Sequence, residues 1–489
     1  MGRVPSSRVS VLNQAPLRPE RDFVLYWMVA SRRVRWSYAL DRAAELAREA
    51  GKPLLVFEPL RCGYRWASDR LHRFIMDGMA DNQRALAARG VTYFPYLEPE
   101  AGAGKGLLAA LGARACAVVT DDYPTFFIPR MQRAAAAALD VQLEAVDGNG
   151  LYPIRASARL FARAVDLRRY YQRELRPYLV ERPQLRPLDR LPRGALRLEK
   201  LHQRWPAATA DELAPDSPLL ARLPIDHSVA PVKARGGSQT AARRLRRFIG
   251  DRMARYAEQR NHPDADAASG LSPFLHFGHL SAHEVFHAVA RHQGWDPLRL
   301  GDQTRGGRRG FWGMSEPSEA FLDELVVWRE LGFNMSVLRE DHDRLSSLPA
   351  WARQTLALHA GDARPHRYEL DALERAQTHA PIWNAAQREL LQTGRMHNYL
   401  RMVWGKKVLE WSATPEAALA ALVELNNKYA LDGRDPNSYS GILWVFGRYD
   451  RAWGPQRPIF GKVRYMSLAN TRRKLRMSRY LERFGTEQA

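Results

Sequence analysis

The sequence predicts an α/β N-terminal domain with a doubly wound parallel sheet, followed by an all-helical C-terminal domain. Short apolar runs alternate with amphipathic segments over residues 21–181, which is typical of parallel strands joined by crossover helices. Over residues 237–489, apolar positions recur at helical spacing instead. Between these parts, residues 182–236 contain eight prolines and little periodicity. We interpret that stretch as an interdomain linker.

The N-terminal domain is predicted to follow a regular order of elements. The predicted strands are FVLYWM (23–28), PLLVF (53–57), VTYFPYL (91–97), ACAVVT (115–120) and VQLEAV (141–146). Helices are expected over 36–50 and 69–88, near Gly106 and from Pro129. Residues 1–20 carry charge and proline without an apolar run, so we predict that they are disordered.

Composition limits the classes of function. The 489 residues carry a net charge of +21, which favours a polyanionic partner such as nucleic acid, although a solvated basic surface is the alternative. The two cysteines, Cys62 and Cys116, lie far apart, which excludes an iron–sulfur cluster or a zinc finger, and no metal site is predicted. Because no apolar run reaches the length of a membrane span, we expect a soluble, cytoplasmic protein.

The stretch from Pro381 to Trp453 is the richest in candidate functional residues. Residues 394–411 predict one basic, aromatic helix, in which Trp411 follows Trp404 by two turns, or about 10 Å. Trp383 could approach both from the preceding helix, and three neighbouring indoles could relay an electron. Ordinary aromatic packing would produce the same spacing.

Two further groups of residues allow both a structural and a functional interpretation. In LDGRDPN, Asp432 and Asp435 could accept hydrogen bonds from a ligand beside Gly433, but Asp-Gly and Asp-Pro also mark plain turns. Glu324 and Trp328 share one face of a predicted helix, where they could form a site or only a helix edge.

Taken together, MHNYLRMVWGKKVLEW, LDGRDPN and GKVRYM resemble the flavin-binding half of DNA photolyases, in particular the class II cyclobutane pyrimidine dimer photolyases. The resemblance covers roughly residues 22–480. It implies light-driven repair of cyclobutane pyrimidine dimers in DNA, by electron transfer from reduced FAD to a flipped-out lesion. A cryptochrome-type blue-light photoreceptor without repair activity is the main alternative. A flavoprotein without photochemistry, or a plain nucleic-acid-binding protein, is a more distant one.

The resemblance also assigns residues to the cofactor. The implied FAD-binding residues are Tyr256, Ser269, Gly270, Leu271, Ser272, Arg329, Arg401, Asn426, Asp432 and Gly433. Asn426 falls on the asparagine that faces the flavin N5. The N-terminal domain would hold an antenna chromophore, a deazaflavin or a folate, if one is bound.

The remaining assignments concern electron transfer and DNA. Glu324 falls on the active-site glutamate, and Trp404, Trp383 and Trp411 fall on the electron relay of class II enzymes. Ile442 stands where other classes have a tryptophan. The implied DNA-binding residues are Trp328, Trp444, Asn398, Arg457 and Arg464. We expect a monomer, associated with the nucleoid, whose partner is DNA containing pyrimidine dimers.

The chain also departs from the class II pattern. Phe274 replaces a tyrosine of the flavin-binding element, so its ring is kept and its hydroxyl is lost. Asn398 stands where class II enzymes usually have glycine, and Asn427 replaces an aspartate. We expect the changes at Asn398 and Asn427, together with the basic insert before Pro317, to alter the fit of DNA or the efficiency of repair without moving the chemistry.

Overall fold

The structure is a computed structural model that describes residues 3–485. The chain forms two compact units, each made of three segments. The first unit comprises Met1–Ser157, Pro177–Leu245 and Leu271–Ala288. The second unit comprises Ala158–Arg176, Arg246–Gly270 and Val289–Ala489.

These units depart from the contiguous ranges 21–181 and 237–489 predicted from the sequence. Within the first unit, Arg33 donates a hydrogen bond of 2.9 Å to the carbonyl of Gly278, a residue of the predicted helical domain. Within the second unit, Arg168 of the predicted α/β domain donates to both carboxylate oxygens of Asp323, at 2.7 and 3.1 Å. Such buried contacts join segments that are distant in sequence.

The first unit contains a six-stranded sheet. Its strands are β1 (Val9–Val11), β2 (Phe23–Trp27), β3 (Leu54–Leu60), β4 (Thr92–Leu97), β5 (Ala115–Asp121) and β6 (Leu143–Val146). The strand order is β1-β6-β5-β2-β3-β4, and every neighbouring pair is parallel except the antiparallel pair of β1 and β6. All residues of β2 and β5 are buried, as expected for strands covered on both faces. The five predicted strands are thus confirmed.

The α-helices are, in chain order, Tyr38–Ala50, Asp69–Ala87, Leu107–Gly112, Ile128–Ala138, Ala164–Glu174, Glu199–Arg204, Ala210–Leu213, Ser238–Arg247, Tyr256–Gln259, Ser272–His276, Ala282–His292, Glu316–Leu322, Arg329–Leu338, Ala350–Leu358, Leu370–Glu374, Pro381–Thr393, Asn398–Trp411, Pro415–Tyr429, Pro436–Trp444, Leu468–Lys474 and Ser478–Phe484. Two π-helical segments span Phe248–Arg252 and Asp323–Trp328. Within residues 3–485, no helix has both the length and the apolar composition needed to cross a membrane.

The predicted disorder of residues 1–20 is wrong for residues 3–20. Strand β1 pairs with β6, and Arg8 is only 1% exposed. The Arg8 guanidinium donates to the carbonyls of Gly150 and Leu151 at 3.2 and 2.7 Å and lies 3.5 Å from Asp147. Backbone pairing and a buried ion pair therefore order this segment, although it lacks the apolar run that usually signals a strand.

At the carboxyl edge of the sheet, Asp121 at the end of β5 orders the turn that follows β2. One Asp121 oxygen accepts hydrogen bonds from the backbone N–H groups of Val29, Ala30 and Ser31 at 2.8–3.0 Å. The other oxygen accepts from the Tyr26 hydroxyl at 2.8 Å. These contacts bring the turns after β2 and β5 together at this edge.

The predicted linker packs onto the first unit. Trp205 and Leu213 are buried, and the Trp205 indole donates to the carbonyl of Ala103 at 2.9 Å. Arg73 donates to the carbonyls of Leu213 and Ala214, both at 2.7 Å. Residues 182–236 therefore cross the surface of this unit as a packed segment.

In the second unit, capping residues and a glycine of positive φ determine where the helices that carry the candidate site begin and end. Thr414 and Asp435 cap the helices Pro415–Tyr429 and Pro436–Trp444 by accepting from backbone N–H groups at 3.1 and 2.8 Å. Gly394 has a φ of +67° and ends the helix Pro381–Thr393. The predicted helix over 394–411 therefore begins only at Asn398.

Candidate active site

The three tryptophans of the predicted relay form one buried cluster. Trp383 stacks on Trp404 with ring centroids 6.2 Å apart and planes inclined by 10°. Trp383 also meets Trp411 edge-on, with centroids 5.6 Å apart. Each indole is at most 3% exposed. The structure thus brings together Trp404 and Trp411 of one helix and Trp383 of the preceding helix, with Trp383 between the other two.

Hydrogen bonds fix the orientation of the first two indoles. Trp383 donates its ring N–H to the carbonyl of Trp404 at 3.0 Å, and Trp404 donates its own to the Gln387 side chain at 3.0 Å. At the far end, Trp411 contacts half-buried Tyr368 and exposed His379, with centroids 5.4 and 5.2 Å away. The aromatic cluster therefore runs from a buried position to the protein surface.

The loop after the helix Pro415–Tyr429 brings polar residues close to the Trp404 helix. Arg401 forms an ion pair of 3.0 Å with Asp432, and both side chains are partly exposed. A Cβ on Gly433 would lie 2.8 Å from the carbonyl oxygen of Asn426 and 3.1 Å from that of Ala430. Only glycine fits this close approach of the loop to the helix.

A pair of buried asparagines continues the polar group. Asn426 is 3% exposed and donates to the Ser438 hydroxyl at 2.7 Å. Asn427 is fully buried, donates to the Tyr439 hydroxyl at 3.2 Å and accepts from the backbone N–H of Arg434 at 2.9 Å. Both the N–H and the carbonyl of the Asn427 amide are therefore used, at a position where the resemblance expects an aspartate.

Glu324 and Trp328 lie on the π-helical segment Asp323–Trp328. Among residues 321–336, all of which the structure describes, these two alone are not buried. A π-helix brings positions four and five apart onto one face, and such segments are frequent at functional sites. The shared face predicted for Glu324 and Trp328 is confirmed, and it is the accessible face of an otherwise buried segment.

The partner of Glu324 was not predicted from the sequence. Arg260 donates to the Glu324 carboxylate at 2.7 Å and also reaches the Tyr256 hydroxyl at 3.5 Å. Burial raises the pKa of Glu324, and Arg260 opposes that rise. Burial likewise raises the pKa of Tyr256 to about 12. Arg260 lies 64 residues before Glu324 in the sequence, so no local pattern links the two.

Two further predicted site residues are Arg329, assigned to FAD, and Trp444, assigned to DNA. Arg329 directly follows the π-helical segment, and Trp444 contacts the helix that carries Trp404. Arg329 is buried, and its guanidinium lies 4.5 Å from the ring centroid of Phe333. Trp444 is half-buried at the end of its helix, and the ammonium of Lys406 lies 4.7 Å from its ring centroid.

The predicted DNA-binding arginines lie on a basic surface formed by the C-terminal tail. Arg464 and Arg451 lie 4.6 and 4.3 Å from the ring centroid of Trp453, and Arg457 lies 5.1 Å from that of Tyr465. The ten basic residues between positions 451 and 483 are all exposed. Asn398 is also exposed, at the first position of its helix.

Four of the predicted FAD-binding residues, Ser269 to Ser272, are consecutive in the sequence. Ser269 and Gly270 end one segment of the second unit, and Gly270 has a φ of +64°. Leu271 and Ser272 belong to the first unit, where Ser272 begins the helix Ser272–His276.

Comparisons with known proteins identify the family. No family model matches the chain. A deoxyribodipyrimidine photo-lyase from Methanothermobacter thermautotrophicus is 34% identical over 482 residues, or 98% of each chain. The crystal structure of a Synechocystis cryptochrome matches with a TM-score of 0.68 and 16% identity over 99% of this chain and 89% of its own. A class III photolyase from Agrobacterium tumefaciens also has a TM-score of 0.68, with 19% identity over 95% of this chain and 86% of its own. The fold is therefore that of photolyases and cryptochromes, and the chain belongs to the deoxyribodipyrimidine photo-lyase family.

Proposed function

We propose that the protein repairs cyclobutane pyrimidine dimers in DNA by light-driven electron transfer from reduced FAD to a flipped-out lesion. One observation carries this proposal. Glu324 and Trp328 are the accessible residues of an otherwise buried segment, and they pair a carboxylate of raised pKa with an indole. A flipped base needs both a stacking surface and a hydrogen-bonding group.

The residues of the second unit fit a flavin. The Arg401–Asp432 pair supplies a cation and a carboxylate, and Asn426 supplies an amide held by Ser438. These groups match the acceptors and donors along the polar edge of a flavin ring, and Gly433 permits a close approach of the backbone. When bound in its reduced form, FAD supplies light absorption and the electron. Tyr256, Ser269, Gly270, Leu271, Ser272 and Arg329 complete the proposed binding set.

The chain's own residues bind and orient the lesion. Glu324 hydrogen-bonds to the dimer pyrimidines through its carboxyl group, which lies with Trp328 on the accessible face of the π-helical segment. Trp328 and Trp444 stack on the extruded bases and exclude water from the pocket. Exposed Arg457, Arg464 and Asn398 bind the DNA backbone without reference to its sequence.

We further propose that the protein is a class II enzyme. The contacts that join Trp404, Trp383 and Trp411 support this assignment, as does Ile442, which is 6% exposed and leaves no indole at its position. With FAD bound and oxidised, the three indoles would relay electrons to it from an external reductant at the protein surface. The proposal extends to a monomer in the cytoplasm, associated with the nucleoid. The N-terminal α/β domain is the proposed site for any deazaflavin or folate antenna.

Substitution of Glu324 tests the proposed function. We expect Glu324→Ala to retain FAD and to bind dimer-containing DNA, but to repair it with lower efficiency under blue light. Glu316→Ala is the matched control, because that carboxylate is 52% exposed and pairs with Arg309 instead of Arg260. Equal repair by wild-type protein and the Glu324 variant would remove Glu324 from the mechanism.

A further inference from the structure

Lys406 is a fully buried lysine on the helix that carries Trp404. It is 0% exposed, although its helix neighbours Arg401 and Met402 reach the surface. Gly405 lets the helix approach the end of the helix Pro436–Trp444, because a Cβ there would lie 2.5 Å from a methyl carbon of Val445. The lysine side chain is thereby placed beneath the residues at that helix end.

The hydrogen bonding of Lys406 does not account for its burial. An ammonium carries three donors, and a charge is costly to bury unless it is well paired. Within the described part of the chain, the Lys406 ammonium donates a single hydrogen bond, of 2.6 Å, to the carbonyl of Val445. That carbonyl lies at a helix C-terminus, where the helix dipole favours a cation.

The second contact of the ammonium is with an aromatic ring. It lies 4.7 Å from the ring centroid of Trp444, within the range of a cation–π interaction. The Trp444 side chain is half-buried, so one part of it meets Lys406 while another remains accessible. Lys406 therefore binds both the ring of Trp444 and the backbone of the next residue.

We propose that Lys406 is a positioning residue, which holds the Trp444 indole in the orientation needed to stack on the extruded dimer. This inference rests on the proposed function. Without the ammonium, the indole would lose the contact that orders its ring. The ring would then have to be ordered when the dimer binds, and the free energy that this costs would lower the affinity for the dimer.

The charge of Lys406 provides a specific test. Burial lowers the pKa of Lys406 to about 7, with the Asp450 carboxylate opposing this shift and the Arg464 guanidinium adding to it. The ammonium is therefore present below that pH and is lost above it. The preference for dimer-containing over undamaged DNA should fall as the pH rises through about 7. Titrating groups that affect DNA binding in general change both affinities alike, so they leave the ratio of the two affinities unchanged.

The experiment measures both affinities by fluorescence anisotropy at constant ionic strength across this pH range. We expect Lys406→Met, which keeps the side-chain volume, to lose about 2- to 30-fold in affinity for the dimer, the range of a cation–π contact. Its affinity for undamaged DNA and its flavin content should not change, and its preference ratio should be independent of pH. Lys407→Met is the matched control, because this buried lysine pairs with Glu410 and leaves Trp444 untouched.

The possible results separate this inference from the proposed function. A wild-type preference for the dimer that persists unchanged in Lys406→Met overturns the role of Lys406. No preference for the dimer in the wild type at any pH overturns both. If Lys406→Met does not fold, Asp450→Asn decides: loss of that carboxylate should move the pH midpoint downward, and an unchanged midpoint overturns the inference.

Discussion

Substitution of Gly433 tests how closely the loop after the helix Pro415–Tyr429 packs against that helix. A Cβ at this position would lie 2.8 Å from the carbonyl oxygen of Asn426, 3.0 Å from the α-carbon of Asn427 and 3.1 Å from the carbonyl oxygen of Ala430. All three neighbours belong to the backbone and cannot move aside as a side chain could. Overpacking of this kind costs about 1–3 kcal/mol. We therefore expect Gly433→Ala to destabilise the second unit by that amount and to reduce its flavin content.

Gly441 provides the matched control. It lies exposed inside the helix Pro436–Trp444, and a Cβ there would meet nothing within 4 Å. Alanine is more favourable than glycine in a helix interior by about 0.5–1 kcal/mol, so Gly441→Ala should stabilise the protein. Urea unfolding followed by tryptophan fluorescence measures both changes, and flavin absorbance measures the retained cofactor. Equal stability of the two variants would refute the packing argument.

Four other variants test electron transfer, the acidity of Glu324 and the binding of DNA. Trp404→Phe should abolish photoreduction of the oxidised flavin, measured by absorbance under blue light with an external reductant. Trp351→Phe, the control at a partly buried tryptophan outside the predicted relay, should leave photoreduction intact. Normal photoreduction in Trp404→Phe would exclude the relay. Arg260 lowers the pKa of Glu324 against the effect of burial, so Arg260→Ala should raise that pKa further. The part of the pH profile of repair that reports the titration of Glu324 should then move to higher pH, and an unchanged profile would contradict the pairing of Arg260 with Glu324. Loss of base stacking costs roughly 1–3 kcal/mol, so Trp444→Ala should weaken dimer binding about 5- to 150-fold and spare undamaged DNA. Arg464→Ala should instead weaken binding to both and flatten the salt dependence by about one unit.

Much of the architecture could be predicted because it depends on local patterns. The buried strands are continuous apolar runs, and the spacing of Trp404 and Trp411 places their indoles two turns apart on one helix. The resemblance then assigned Glu324 and Trp328, which the structure places on one accessible face.

The features that were missed depend on contacts between distant segments. Arg260 reaches Glu324 across 64 residues, and the buried ammonium of Lys406 depends on the close approach that Gly405 allows. Residues 3–20 are ordered by an edge strand and by buried Arg8, although their composition resembles that of a flexible terminus. Composition and periodicity contain no information on such pairings.

The repair reaction itself tests the central claim most directly. Purified protein with reduced FAD is mixed with an oligonucleotide that contains one thymine dimer, and the restored thymines are quantified by chromatography in blue light and in darkness. We predict conversion of the dimer into two thymines in the light and none in the dark. An intact dimer after illumination, with the flavin bound and reduced, would contradict the proposed repair activity.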